Sequence, residues 1–252
     1  MKPKILPVLI LALILALTLA ACRNNAQQPS GGSTAHVGDN PPLVNQPIDP
    51  TQPPTEEPDI TPISAQIGEI IRFGEHDWRV LDVQDNHALI ITEIAFERRL
   101  YNNTAEDITW EASSIRQYLN GTFLDSFGVA DQARIREIEL VNSDNPWSSV
   151  AGGADTTDMI FLLSIDEVLR YFGDINQLPD RANEATWAVN DQYNDLRRAL
   201  NEGNHIQPWW LRSPGANSRQ AARIDRDGGI DLAGNTVGAD GGVRPALWLR
   251  LR

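Results

Sequence analysis

The chain has 252 residues, 34 acidic against 21 basic, for a net charge of −13. Such a surface repels nucleic acid and anionic lipid and excludes polyanion binding as the bulk role. A single cysteine excludes a disulfide framework.

Lys2 and Lys4 precede a 17-residue apolar run, Ile5 to Ala21, which ends in Leu19-Ala20-Ala21-Cys22. That order is a charged region, an apolar region and small residues at a cut site. With cysteine directly after the cut, it is the bacterial lipoprotein signal. The run is shorter than the ~20 residues of a membrane span and is interrupted by Pro7. Residues 1–21 are therefore expected to be removed and Cys22 to be diacylated, which gives stable anchoring to the extracytoplasmic side of a membrane. Beyond Cys22 there is no lysine, and every base is arginine. The domain that follows has no thiol for nucleophilic catalysis or metal ligation.

Residues 22–64 read as the lipidated cysteine and a tether. Nine of the sixteen prolines lie in residues 23–64, which hold no Phe, Trp or Tyr. Such a composition buries too little apolar surface to offset ordering entropy. Its reach lies between roughly 35 Å as a coil and roughly 130 Å fully extended. Residues 65–252 hold all seven Trp, all six Phe and all four Tyr, and their length fits one domain.

Within the domain, residues 68–74, 77–83 and 87–93 are short β-rich runs separated by turn residues, a meander. Ser113 to Phe123 predicts a helix capped by Ser113 or Ser114, with Ile115, Tyr118, Leu119 and Phe123 on one face. Asp131 to Leu140 predicts a second, weaker helix. Asp158 to Ser164 is a continuous apolar run of buried-strand length. Ser164 and Glu167 form a capping box for a helix that turns Val168, Leu169 and Phe172 inward. Glu184 to Leu200 predicts a further helix. Strands are expected at Trp209–Arg212, Gln220–Asp225, Gly229–Leu232 and Val243–Leu251. Strands at both ends with two to three helices between them make an α+β domain with short, antiparallel or mixed strands.

Two strings exceed generic pattern: Trp209-Trp-Leu-Arg-Ser-Pro-Gly215 and Gly241-Gly-Val-Arg-Pro-Ala-Leu-Trp-Leu249. With Phe73-Gly74, Trp78-Arg79-Val80-Leu81, Tyr101-Asn102, Thr109-Trp110-Glu111, Ile115-Arg116, Leu119-Asn120 and Phe161-Leu162-Leu163-Ser164, they resemble an uncharacterised bacterial domain family, domain of unknown function 6273. That family occurs in many extracellular and lipid-anchored proteins and brings no activity with it. The C-terminal strings also resemble formylglycine-generating-type proteins and, more distantly, the C-type-lectin-like fold. The resemblance implies a lectin-like α+β domain whose first and last strands pair and whose tryptophan-arginine strand lies in the core. The formylglycine-generating oxidase chemistry needs cysteines, which this domain lacks.

Candidate binding residues follow. Trp210 and Arg212 share one face of a predicted strand, as a sugar-stacking ring beside a hydrogen-bonding guanidinium. The alternative is a buried Arg212 paired with Glu111 or Asp227. Trp147 lies in a Gly/Ser/Asp-rich loop from about Asn142 to Thr157, where it is either displayed for binding or tucked onto the core. Arg244 before Pro245 reads as fixing a turn. Asp225, Asp227 and Asp231 alternate around glycines and weakly fit calcium, against a β-hairpin turning at Asp227-Gly228. Asp155 and Asp158 are a weaker calcium pair. The histidines have no metal spacing, and no nucleophile elbow is present. The expected role is a lipid-anchored binding module for an envelope glycan or surface protein. The rivals are an assembly lipoprotein acting through protein contacts and, further off, a glycan hydrolase using two carboxylates.

Overall fold

The computed structural model describes residues 61–174 and 187–252, which fall within one compact unit, Thr55–Arg252. The signal segment, Cys22 and the tether up to residue 60 lie outside the described residues.

The meander is present as β1 (Ile70–Phe73), β2 (His76–Gln84) and β3 (His87–Thr92). Alternation sets its register: Ile71 pairs with Trp78, and Val80 with Ile90. The Asp85-Asn86 turn takes positive φ at both residues, as a tight two-residue hairpin requires. The sheet is completed by β5 (Ile135–Arg136) and β13 (Ala246–Arg250), in the order β1-β2-β3-β13-β5. The last strand therefore inserts beside the third and does not pair with the first, contrary to the lectin-like expectation. The chain just before β1 does reach it, for the Ile63 N–H donates to the Leu251 carbonyl at 3.0 Å.

A second sheet runs β4-β12-β9-β10-β11-β8. Its strands are β4 (Glu97–Leu100), β8 (Ala188–Val189), β9 (Trp209–Pro214), β10 (Gln220–Ile224), β11 (Ile230–Thr236) and β12 (Asp240–Val243). All its pairings are antiparallel except β12 with β9. The predicted strand Val243–Leu251 is thus broken in two. Pro245 lacks an N–H and cannot continue a ladder, so the chain leaves one sheet at Val243 and enters the other at Ala246.

The helix predicted from Ser113 is α1 (Ser114–Tyr118), continued by one wider turn over Leu119–Phe123. The Ser113 Oγ accepts the Arg116 N–H at 3.3 Å. Asp131–Leu140 is not a helix. Only α2 (Val129–Gln132) coils, and then β5 and β6 (Ile138–Leu140) pair with β13 and with β7 (Thr156–Asp158). Ile160, Phe161, Leu162 and Leu163 are fully buried, as their apolarity requires, yet form no strand; Phe161 bridges Ala246, and the Leu163 carbonyl accepts the Arg212 N–H at 3.0 Å. The capping box is present at α3 (Ile165–Phe172): the Glu167 N–H donates to Ser164 Oγ at 3.2 Å, and the Ser164 N–H to Glu167 Oε2 at 2.8 Å. The helix expected over Glu184–Leu200 begins outside the described residues, and its described part is β8 and a single turn, α4 (Asn194–Arg197). Arg197 explains the break. Its fully buried guanidinium pairs with Asp191 at 2.6 Å and donates to the carbonyls of Gly228 and Phe172.

The fold is therefore α+β with short, mainly antiparallel strands. One buried apolar cluster draws Trp78 and Leu247 from the first sheet, Trp209 and Leu211 from the second, and Leu169 from α3. Among the described residues no helix is long and apolar enough to cross a membrane.

Candidate functional site

All six residues of β9 are buried. Trp210 is fully covered, its Nε1–H donating to the Arg99 carbonyl at 3.0 Å and its ring edge-on to Tyr101 at 5.8 Å. It offers no stacking face to a sugar. Arg212 is 5 % exposed and bound bidentately by Glu167, not by Glu111 or Asp227. The ligand reading of both gives way to the buried alternative, with Glu167 as the partner of Arg212. This outcome does agree with the core tryptophan-arginine strand that the resemblance implies. Trp147 is half-buried and packs on the core, and its N–H donates to Asn145 Oδ1 at 2.9 Å. The Asn145 amide in turn bridges the carbonyls of Pro214 and Leu232. The Trp147 loop and β9 are therefore brought together, by hydrogen bonds between backbone and amide.

The calcium pattern resolves into the hairpin. Asp225 Oδ1 accepts the N–H groups of Asp227 and Gly229, which closes the turn between β10 and β11. Asp231 is paired with Arg223 at 3.0 Å and accepts the Gly234 N–H. Asp227 points no carboxylate into a shared cage; among the described residues no three His, Cys, Asp or Glu side chains gather to hold a metal. Asp155 accepts the Asn142 N–H. Asp158 is fully buried and binds Arg116, Trp110 and Thr156.

Among the described residues three buried side-chain atoms lack a hydrogen-bond partner, Thr92 Oγ1, Arg250 Nε and Arg244 Nη1; Arg244 lies at the crossover between the sheets. It is 2 % exposed. Its Nε donates to the Thr92 carbonyl at 2.9 Å, and its Nη2 reaches the Glu93 carbonyl at 3.4 Å. Its Nη1 has no hydrogen-bond partner among the described residues. The guanidinium lies against two rings, 5.1 Å from Trp209 and 5.5 Å from Phe172. Among the described residues it has no ion-pair partner: the nearby Glu93 side chain is bound by Arg79, with contacts of 2.8 and 2.5 Å. Burial, partly countered by Glu93, pushes the Arg244 pKa down to about 10, so the group is a cation at neutral pH.

Arg244 forms part of the wall of a recess of about 350 Å³. Apolar walls come from Ile67, Val80, Leu81 and Leu196; Phe172 and Tyr171 bring the end of α3. Burial, then Asp82, raises the Tyr171 pKa, which keeps its hydroxyl a neutral donor. The carboxylates at the recess, Glu93 and Asp195, are each paired with an arginine, Arg79 and Arg198. The arrangement can therefore supply positive charge, donors and apolar contact, which is the chemistry of binding. A recess of about 220 Å³ beside Trp210 also holds arginines, but Arg98 and Arg223 there face Asp240 and Asp231.

Arg244 was read from sequence as a turn residue. Its place in the recess depends on Thr92, Glu93 and Phe172, far off in the chain. The one local signal was an arginine directly before a proline in an apolar strand.

No curated protein and no solved structure matches this chain. A family model described as a domain of unknown function (DUF6273) matches residues 85–251, more than half of the chain, including both C-terminal strings, and the chain belongs to that family.

Proposed function

We propose that the protein is an extracytoplasmic binding module, held to a membrane by acyl chains on Cys22 and carried on the tether that follows it. Its ligand is an envelope glycan or a surface protein. The signal order Lys2, Ile5–Ala21, Cys22 supports the address. The observation that carries the binding reading is Arg244, a buried cation with no ion-pair partner among the described residues, in the wall of a recess. Buried charges are ordinarily paired, and recesses of this kind, apolar with a few polar groups, are where ligands sit.

The test has two arms. Cys22→Ala is expected to shift the protein out of the membrane fraction or to block its processing. Wild-type protein lacking the lipid is expected to sediment with isolated envelope material. A C22A protein that stays in the membrane at the processed size overturns the address. An envelope fraction that fails to retain the lipid-free protein overturns the role.

A further inference from the structure

Arg244 donates from Nε and Nη2 to backbone carbonyls, which leaves both N–H groups of the covered Nη1, one of Nη2 and one full positive charge. A guanidinium in low dielectric attracts an anion more strongly than the same group in water. The identity of that anion is constrained by the walls. A phosphate dianion meets the carboxylates of Glu93 and Asp195, which already engage the other arginines of the wall, Arg79 and Arg198. A single carboxylate needs one strong donor and brings one charge. The volume of about 350 Å³ is at the small end for ligand sites, which run from roughly 300 to 1,000 Å³. The apolar residues Ile67, Leu81 and Leu196 leave room beside the charge for a compact body of a few carbons.

We infer that this recess binds a monocarboxylate with a small apolar or sugar-like body, its carboxylate directed to Arg244. This rests on the reading of the recess as a ligand site and gives its chemical class. Two envelope sources share that chemistry: the free C-terminus of a short peptide and the acid group of a sugar acid. In either case Tyr171 supplies the second donor from the end of α3.

The experiment is calorimetric titration of the lipid-free protein, residues 23–252. The probes are N-acetyl-alanyl-alanine and its terminal amide, glucuronate and glucuronamide, and inorganic phosphate. At least one free acid is expected to bind about tenfold tighter than its amide, the loss of one charged contact, and tighter than phosphate. The peptide acid alone binding assigns the peptide source; glucuronate alone assigns the sugar source. Arg244→Gln is the direct variant but removes a buried structural group, so rim variants carry the test. Leu196 is 60 % exposed, and Leu196→Asp is expected to weaken the acid about tenfold with an unchanged melting temperature, while Leu196→Asn stays within about twofold. Acid and amide binding alike, phosphate binding best, none of the probes binding, or Leu196→Asp without effect each overturn the inference. If the envelope fraction still retains the protein while no acid binds, the module reading survives and only the recess assignment falls. If neither binds, both fall.

Discussion

Arg212 Nη2 donates to Glu167 Oε1 at 3.0 Å, and Arg212 Nη1 meets Glu167 Oε2, the same oxygen that accepts the Ser164 N–H at the start of α3. One carboxylate thus closes a helix cap and neutralises an arginine of β9. The remaining Arg212 donors reach the Leu162 and Val141 carbonyls and Asn142 Oδ1. Glu167→Ala would leave that cation nearly buried without a counter-charge, which costs about 3–5 kcal/mol. Glu167→Gln keeps the shape and is expected to cost less. The double variant Glu167→Ala with Arg212→Met is expected to lose less than the sum of the singles, because each single leaves an orphan. Urea unfolding measures all of these, and a Glu167→Ala loss well under 1 kcal/mol would remove Arg212 from the interior's polar frame.

The Gly241-Gly242 pair of the C-terminal string has a steric cause. A Cβ on Gly241 would collide with the Trp210 ring at Nε1 and Cε2, and one on Gly242 would lie 2.7 Å from the Pro208 carbonyl. The Trp210 ring is held by its bond to the Arg99 carbonyl and cannot swing aside freely. Gly241→Ala is therefore expected to cost about 1–3 kcal/mol, as overpacking does. Gly121→Ala is the control, since nothing lies within 4 Å of its added carbon. Thermal melts of the two should separate clearly, and equal melting temperatures would refute the collision.

Legibility followed the range of the interaction. The β1–β3 meander and the Ser164–Glu167 box rest on neighbours in sequence, and both were readable from period and spacing. Asp131–Leu140 misled because Ile135 and Ile138, three residues apart, also fit a helix face. In the fold, Leu249 pairs with Ile135 and Asp158 with Ile138, and tertiary pairing overrides a weak local preference. Arg212 and Arg244 sit in similar strings, Leu-Arg-Ser-Pro and Val-Arg-Pro. Their fates differ because Glu167 is free to meet the first, whereas Glu93 beside the second is taken by Arg79. Nothing local in either string encodes that difference, so the candidate site emerges only with the crossover.

Asp158 is the second buried polar hub. Its carboxylate accepts from Arg116 Nε at 2.6 Å, Trp110 Nε1 at 2.9 Å and Thr156 Oγ1 at 2.9 Å. All three partners are donors, so the ionised acid matches them. Asp158→Asn turns one accepting oxygen into an NH₂ that faces donors, and weakens the Arg116 pair. The expected loss is about 2–3 kcal/mol, the scale of hydrogen bonds to a charged group. Added calcium is expected to leave the melting temperature of the wild type unchanged, because these donors already fill the carboxylate. A calcium-dependent rise that Asp158→Asn abolishes would return Asp158 to the metal reading.

His76 supplies the pH dependence. Its ring packs 4.8 Å from Phe96 and 5.5 Å from Phe123. Burial first, and Arg72 second, lower its pKa from 6.5, against smaller opposing effects of Glu75, Glu202 and Asp77. The folded state therefore takes up its proton later than the unfolded chain does as pH falls. Between the unfolded value of 6.5 and the lower folded one, the unfolded chain binds more protons, so stability rises with pH and is lost on acidification. Melting temperatures from about pH 7.5 down to about pH 5.5, the range in which histidine titrates, are expected to fall in the wild type. His76→Phe keeps an aromatic ring against Phe96 and Phe123 but has no proton to bind, and its melting temperature is expected to fall less over the same range. Equal slopes in the two proteins would assign the acid sensitivity to other groups.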